Sequence, residues 1–274
     1  MQTPPGTEQT AVRFPLPVAF TAGAAVGVLG GMVGLGGAEF RLPLLIMLFG
    51  FAALQAVILN KALSLVVVLT ALPARLAAVP LSALAPHWTV IANLLLGSLA
   101  GAWAGASWAT RMRSVTLYRV LAVLLVGIAA ALIANHTGTL RHVALAPAAV
   151  VTAGVVAGFV IGVVAALMGV AGGELLIPTI VLLFATDIKI AGSLSLAVSL
   201  PTMLVAFARY SRDGSFTVLR RHTRLAGFLA LGSITGAIGG ALLLGVVPDA
   251  VLIPALAALL ALSSIKVWRH AATE

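Results

Sequence analysis

The sequence contains no cysteine, and only 8% of its 274 residues are charged. The absence of cysteine excludes disulfides, thiolate metal ligands and cysteine-ligated iron–sulfur clusters. Soluble domains carry charge at roughly a quarter of their positions, so a soluble class is excluded too. Apolar runs near the ~20 residues that span a bilayer recur throughout the chain, giving 61% hydrophobic residues and a mean hydropathy of +1.17. The chain is therefore predicted to be an all-α polytopic membrane protein.

Acidic residues are scarce, since seven Asp and Glu stand against 16 Lys and Arg. The bases collect in short loops, where they orient helices in a membrane rather than form a nucleic-acid-binding face. The five histidines lie in or beside loops without HExxH or other paired ligand spacing, and no catalytic set falls in the apolar runs. We expect a lipid bilayer around the chain, no nucleic acid, no metal, no cofactor and no enzymatic activity.

Two motifs occur twice at one offset. GLGGAEFRLP at residues 34–43 matches GVAGGELLIP at residues 169–178, which places Glu39 and Glu174 135 residues apart. LGSLAGAWAGA at residues 96–106 matches LGSITGAIGGA at residues 231–241 with the same offset. Because two separate motifs share one period, the chain is predicted to be an internal duplication.

Each unit is predicted to contain five helical pieces. The first repeat covers residues 16–135 and the second 146–268, with a loop at 136–145 and tails at 1–15 and 269–274. Residues 40–50 would rise only about 16 Å as a helix, roughly half of a ~30 Å hydrocarbon core, so they cannot span it. The predicted pieces are 16–35, 40–50, 54–79, 88–109 and 115–134, then 146–170, 175–186, 189–210, 222–245 and 249–268.

Loop charges predict opposite orientations for the two units. Arg111, Arg113 and Arg119 flank the last loop of the first unit, whereas the matching loop of the second carries Asp249 and no base. The loop before it shows the reverse pattern, because only the second unit places bases there: Arg209, Arg212, Arg220, Arg221 and Arg224. The positive-inside rule then predicts inverted-topology repeats, with both termini cytoplasmic.

Paired interrupted helices in an inverted repeat indicate a secondary transporter, with substrate bound near the midplane where the breaks meet. Each break exposes the N-terminus of a half-helix, which is a natural anion site. Gly36, Gly37, Ala38, Gly172 and Gly173 are predicted to let an anion approach the backbone there. The expected partner is therefore a small anion.

The two glutamates have two interpretations. A glutamate in a first helical turn is often a favourable cap or brace. However, an acid placed twice at one register within lipid is costly unless it faces the interior. Because burial disfavours the charged form of a carboxyl group, proton exchange near neutral pH is accessible. Glu39 and Glu174 are thus either caps or groups for proton coupling or gating.

Further polar residues fall within predicted spans and complete the candidate substrate site. Asn60 and Lys61 open the third segment of the first unit, and Ser193 and Ser195 occupy the corresponding turn of the second. Arg41 follows Glu39 but has no basic counterpart in the second copy of the motif. Lys61 and Arg41 either face the cavity and attract an anion, or snorkel to an interface.

The glycine spacings in the second motif indicate close helix contacts. Such faces can pack within one chain or join two copies in a homodimer, and the sequence leaves both open. The glycines are Gly97, Gly101, Gly105, Gly232, Gly236 and Gly240.

The doubled glycine motif, the helix starts NKALSL and AGSLSL, and the doubled LGSxxGAxxGA together resemble the sulfite exporter TauE/SafE family over residues 18–265. The resemblance implies a secondary carrier of sulfur-containing anions or related organic acids, located in a bacterial inner membrane. Ala38 and Ala171 each replace a glycine of a stricter pattern. The resemblance implies that the central motifs comprise Gly36, Gly37, Glu39, Pro43, Gly172, Gly173, Glu174 and Pro178.

The function expected from these features is export of a small sulfur-containing anion, such as sulfite or an organosulfonate like sulfoacetate. Two inverted units would alternate access to the site, with proton coupling through the glutamates. A passive anion channel would use the same helix dipoles and remains an alternative, as does a carrier of a non-sulfur organic acid.

Overall fold

The structure is a computed structural model that describes residues 15–33, 37–78, 81–137, 146–212, 217–242 and 248–271. All regular structure in these ranges is helical, and six of the helices are long and apolar enough to cross a membrane. This confirms the all-α polytopic fold. The helices are α1 (Leu16–Val33), α2 (Ala38–Met47), α3 (Ala53–Ala78), α4 (Leu81–Leu84), α5 (Trp88–Ala109), α6 (Ser114–His136), α7 (Pro147–Met168), α8 (Gly173–Phe184), α9 (Ile188–Ser211), α10 (Thr217–Arg221), α11 (Thr223–Leu242) and α12 (Asp249–His270).

All ten predicted helical pieces have a counterpart among these helices. Helix α4, the 3₁₀ turn Ala85–His87 that follows it, and α10 were not predicted from the sequence. These short elements precede α5 and α11, the fourth helices of the two predicted units. At four and five residues, α4 and α10 are too short to show helical periodicity in a sequence.

The two short helices begin at left-handed glycines. Gly37 precedes α2 with φ 68°, and Gly172 precedes α8 with φ 84°, a conformation that favours glycine. With 10 and 12 residues, α2 and α8 rise about 15 to 18 Å, which is near half of a hydrocarbon core. The prediction of half-length helices after the glycine motifs is therefore confirmed.

A glycine also ends the helix before the second break. Gly169 is left-handed at φ 70°, and its N–H bonds to the carbonyl oxygen of Ala166 at 3.2 Å. The N–H of Val170 bonds to the carbonyl oxygen of Ala165 at 3.1 Å. This pair of bonds is a Schellman motif, which turns the chain sharply out of α7. The corresponding residues after α1, including Gly36, lie outside the described ranges.

The long helices pair across the boundary between the two predicted units. Helix α1 packs along α11, α5 packs along α7, and α6 packs against α12. The first helix of each unit thus pairs with the fourth helix of the other, and the fifth helices pair with each other. This reciprocal pairing is what a duplicated unit with a two-fold relation produces. The core is consequently shared between the units.

Glycines make the two closest pairings possible. A Cβ atom built at Gly27 would overlap the carbonyl oxygen of Ser233, and one at Gly162 would overlap that of Ser98. The glycine faces of both LGS motifs are therefore used within the chain, between α5 and α7 and between α11 and α1. Backbone lies equally close to Gly97, Gly101, Gly105, Gly232, Gly236 and Gly240.

Candidate functional site

The two glutamates lie in the first turns of α2 and α8, and their side chains are 0% and 6% exposed. Each carboxyl group lies close to the backbone N–H of its own residue and to the other carboxyl group. Within the described part of the chain, no well-formed hydrogen bond reaches any of their four oxygens. Glu39 and Glu174 therefore form a buried carboxyl pair between the two predicted units.

Neither helix N-terminus is capped by a side chain of the preceding residue, because both N-caps are glycine. The partial positive charge of the first-turn N–H groups is therefore available to an anion. In this structure each glutamate carboxyl group lies near the backbone N–H of its own residue in that first turn. The protein's own acids thus lie beside the two anion positions that the sequence predicts.

Arg41 lies one turn into α2, and its guanidinium group is buried at 1% exposure. Its Nε donates to Asn60 Oδ1 at 2.9 Å, Nη1 to Ser233 Oγ at 3.1 Å and Nη2 to Ser64 Oγ at 3.0 Å. All three acceptors are neutral, so they leave the positive charge of Arg41 uncompensated. That charge acts on Glu39, with which Arg41 interacts electrostatically.

Asn60 joins the start of α2 to the end of α7. Its side-chain nitrogen donates to the carbonyl oxygen of Ala38 at 2.9 Å and to that of Met168 at 3.0 Å. Ala38 begins α2 and Met168 ends α7, so one amide joins the second helix of one unit to the first helix of the other. Ser64 supports the same region by donating to the carbonyl oxygen of Asn60 at 2.7 Å.

Lys61 belongs to α3, and its side chain reaches the C-terminus of α7. Its ammonium group donates to the carbonyl oxygens of Ala165 and Val170, both at 2.7 Å. A cation there stabilises the negative end of the helix dipole. Lys61 is 0% exposed and interacts electrostatically with Glu174. The snorkelling alternative is therefore wrong for Lys61 and also for Arg41, since both side chains are interior.

The basic and amide side chains of the polar network come from the first unit alone. Arg41 corresponds to Leu176, and Asn60 and Lys61 correspond to Ala191 and Gly192 at the offset of 131 residues set by ALSL and SLSL. None of these three counterparts carries a side chain that can donate a hydrogen bond. The predicted interior bases therefore both come from the first unit, although Arg41 lies at the first break and Lys61 at the second.

The two predicted serines of the second unit are buried near the start of α9. Ser195 donates to the carbonyl oxygen of Gly192 at 2.8 Å, within its own helix. The hydroxyl of Ser193 has no hydrogen-bond partner among the described residues. The structure thus brings Ala38, Glu39, Arg41, Asn60, Lys61 and Glu174 together, and it shows no bond from Ser193 or Ser195 to them.

The two glycine motifs differ in the room around them. A Cβ atom at Gly37 would overlap the carbonyl oxygen of Val26, so the start of α2 is packed against α1. At Gly173, by contrast, no heavy atom lies within 4 Å of a Cβ position. The start of α8 therefore has space beside the backbone. The backbone at Gly173 is therefore less obstructed than the backbone at Gly37.

Two site residues, Ser64 and Ser233, were missed by the sequence analysis. Both bond to Arg41, and both lie in repeated motifs: Ser64 in ALSL and Ser233 in LGSITGA. The motif counterpart of Ser233, Ser98, also makes a buried contact, with the hydroxyl of Thr202 at 2.8 Å. The serine repeated in both LGS motifs could have indicated these buried polar contacts, but the motifs predict only helix-packing faces when their glycines alone are considered.

Comparison with protein families identifies one match. The family described as sulfite exporter TauE/SafE matches residues 2–132 and 145–274, which leaves out only the connection between the two predicted units. Comparison with curated proteins and with solved structures gives no match. With nearly the whole sequence covered, the chain belongs to the sulfite exporter TauE/SafE family of membrane transporters.

Proposed function

We propose that the protein is a secondary transporter that exports a small sulfur-containing anion, such as sulfite or an organosulfonate. The observation that carries this proposal is the buried carboxyl pair of Glu39 and Glu174 at two paired helix N-termini. These positions favour negative charge, and the protein's own carboxyl groups lie in the first turns beside them. The family supports an anion of sulfur as the substrate class.

The substrate anion is proposed to replace a glutamate carboxylate at the helix N-termini. Two carboxylates this close repel each other in a low-dielectric interior, so a proton held between them is the stable arrangement. Protonation removes the negative charge that competes with the substrate. The anion then binds the backbone N–H groups of Gly36, Gly37, Ala38, Gly172 and Gly173, starting from the open side at Gly173.

Arg41 and Lys61 are proposed to assist without direct contact in this state. Their donors already bond to Asn60, Ser64, Ser233 and the end of α7, so they act chiefly through their charges. With one proton on the carboxyl pair, the two bases and the remaining carboxylate leave a net charge of +1 in the empty site. A monovalent anion brings this sum to zero, which avoids the cost of a net charge buried in a membrane. This charge balance supports proton coupling.

Transport is proposed to proceed by alternating access between the two units, residues 16–135 and 146–268. The loop charges support an inverted arrangement in the bacterial inner membrane with both termini cytoplasmic. The glycine faces are occupied within the chain. A homodimer would therefore have to use another face.

The first experiment is thermal stabilisation of the purified protein by sulfite, sulfate, sulfoacetate, taurine, acetate and chloride. A ligand that binds only the folded state raises apparent stability by mass action. Selective stabilisation by sulfite or a sulfonate is expected. Stabilisation by acetate alone indicates a carrier of non-sulfur organic acids, and stabilisation by none of the sulfur-containing anions contradicts the proposal.

Flux into proteoliposomes then separates a carrier from a passive channel. A proton gradient is imposed across vesicle membranes with equal substrate concentrations inside and outside. The uptake of labelled substrate into the vesicles is then followed. Accumulation against its own gradient is expected of a proton-coupled carrier. Simple equilibration at every proton gradient contradicts coupling and favours a channel.

A further inference from the structure

A groove on the outer surface lies between α6 and α12, away from the glutamate site. Its volume is about 330 Å³, within the range of about 300–1,000 Å³ typical of small-molecule sites. Its walls include Val123 and Val126 of α6 and Ile265 of α12. The hydroxyl of Ser264 already donates to the carbonyl oxygen of Ala122 at 2.8 Å. The groove therefore offers mainly apolar surface to an occupant.

This groove faces the lipid. Val123, Val126 and Ile265 are all exposed on helices long and apolar enough to span a membrane. Apolar side chains on the outside of such helices contact acyl chains. An occupant of the groove must accordingly be something that resides in the hydrocarbon region.

One end of the groove is polar and basic. Trp268 and Arg269 line it near the C-terminus of α12. The Arg119 guanidinium group lies 5.8 Å from the centroid of the Trp268 ring. Arg119 is near the start of α6, so both arginines lie at the same end of this antiparallel helix pair. Tryptophan at a helix end is typical of the level of the lipid headgroups.

We propose that the groove binds one anionic phospholipid. An acyl chain lies along Val123, Val126 and Ile265, while the headgroup phosphate is held by Arg119 and Arg269 beside Trp268. Arginine suits this task because its planar donors bind phosphate oxygens in pairs. Basic pockets between membrane helices at their cytoplasmic ends are known to hold acidic headgroups. The site is independent of the transport mechanism.

The test measures lipid binding to the purified protein in detergent by native mass spectrometry. Phosphatidylglycerol and phosphatidylcholine with identical acyl chains are compared at equal concentration. We expect phosphatidylglycerol to bind about tenfold more tightly, since each surface base attracts an anionic lipid. Arg119→Gln with Arg269→Gln should remove this preference. The matched pair Arg111→Gln with Arg113→Gln removes the same charge from the connection just before α6, outside the groove, and should retain the preference.

Two further measurements separate a lipid from other occupants. Val126→Trp fills the groove and should weaken binding of both lipids, and glycerol phosphate without acyl chains should not bind at the same concentration. Equal binding of the two lipids contradicts the proposal. It is also contradicted if the Arg111 and Arg113 pair matters as much as the Arg119 and Arg269 pair. Strong binding of glycerol phosphate would overturn it too. So would a crosslink between two copies of the chain at position 126.

Discussion

Arg41 on α2 and Ser233 on α11 are 192 residues apart in the chain, and their side chains are joined by a hydrogen bond of 3.1 Å in the buried centre. Ser233 lies where α11 packs closely on α1, next to Gly27. The bond therefore links the first broken region to the helix pair that holds the two units together. Loss of either side chain is expected to affect the same contact.

A double-mutant cycle tests this link. Arg41→Met and Ser233→Ala should be non-additive, with a coupling of about 1–2 kcal/mol in the free energy of unfolding, because both remove one bond. The matched control is Ser98→Ala, at the equivalent position of the other LGS motif, whose hydroxyl contacts Thr202. Arg41→Met and Ser98→Ala should add. Additivity in both cycles would mean that the Arg41–Ser233 bond contributes nothing measurable.

Asn60→Ala should destabilise the fold by about 3 kcal/mol. The substitution leaves the carbonyl oxygens of Ala38 and Met168 and the Nε of Arg41 without this partner, and each buried unsatisfied group costs about 1–3 kcal/mol. The measurement is the unfolding transition in detergent.

Asn93 provides the control for Asn60. It also lies buried on a long helix, but its amide donates a single bond, to the carbonyl oxygen of Val151 at 2.9 Å. Asn93→Ala should therefore cost about 1 kcal/mol. If the two variants unfold at the same midpoint, the bridge by Asn60 is not a special contributor to stability.

Gly97→Ala should destabilise by about 1–3 kcal/mol, because its methyl group has to displace backbone of α7 at Val155. Gly127→Ala is the matched control. Gly127 is also inside a membrane helix, yet a Cβ there meets no atom within 4 Å. Its substitution should be neutral or stabilising by up to about 1 kcal/mol. Equal destabilisation of both variants in thermal unfolding would contradict the close helix contact.

Glu39→Gln and Glu174→Gln should leave the fold intact and change how transport depends on pH. If substrate binds only when the carboxyl pair carries a proton, wild-type flux falls as pH rises and the pair becomes fully charged. Glutamine is permanently neutral, so the variants should lose most of this decline. The measurement is anion flux in proteoliposomes from mildly acidic to mildly alkaline pH.

An unchanged pH profile in both variants reduces the glutamates to helix caps. The melting temperature of each variant provides the control, because a large drop would show that the carboxyl pair is needed for folding rather than for proton exchange. Lys266→Gln, at an exposed base on α12, controls for a general change of charge. It should leave flux and its pH dependence unaltered.

The ten main helices could be predicted because long apolar runs, broken by glycine motifs at a fixed period, carry a strong signal. The burial of Glu39 and Glu174 could be inferred as well, since an acid repeated at one register in lipid has to face inward. The positions of the short helices α4 and α10 could not be predicted, because four or five residues show no periodicity.

The hydrogen-bond partners of Arg41 and Lys61 could not be predicted from the sequence. Lys61 bonds to backbone carbonyl oxygens at the end of α7, and a backbone acceptor leaves no mark on residue identity. Ser233 meets Arg41 only because α11 pairs with α1 from the other unit, and no local pattern encodes which helices pair. For the same reason, the contrast between the packed Gly37 and the open Gly173 required three-dimensional coordinates.

The pairing of α1 with α11, a helix of the other predicted unit, has a consequence for biosynthesis. The glycine face of α1 is inserted first, yet the helix that covers it, Thr223–Leu242, is almost the last to leave the ribosome. Throughout translation that face must be shielded by lipid or by an insertion factor. Separately produced halves, cut within residues 138–145, should therefore remain immature alone and assemble only when both are made in one cell.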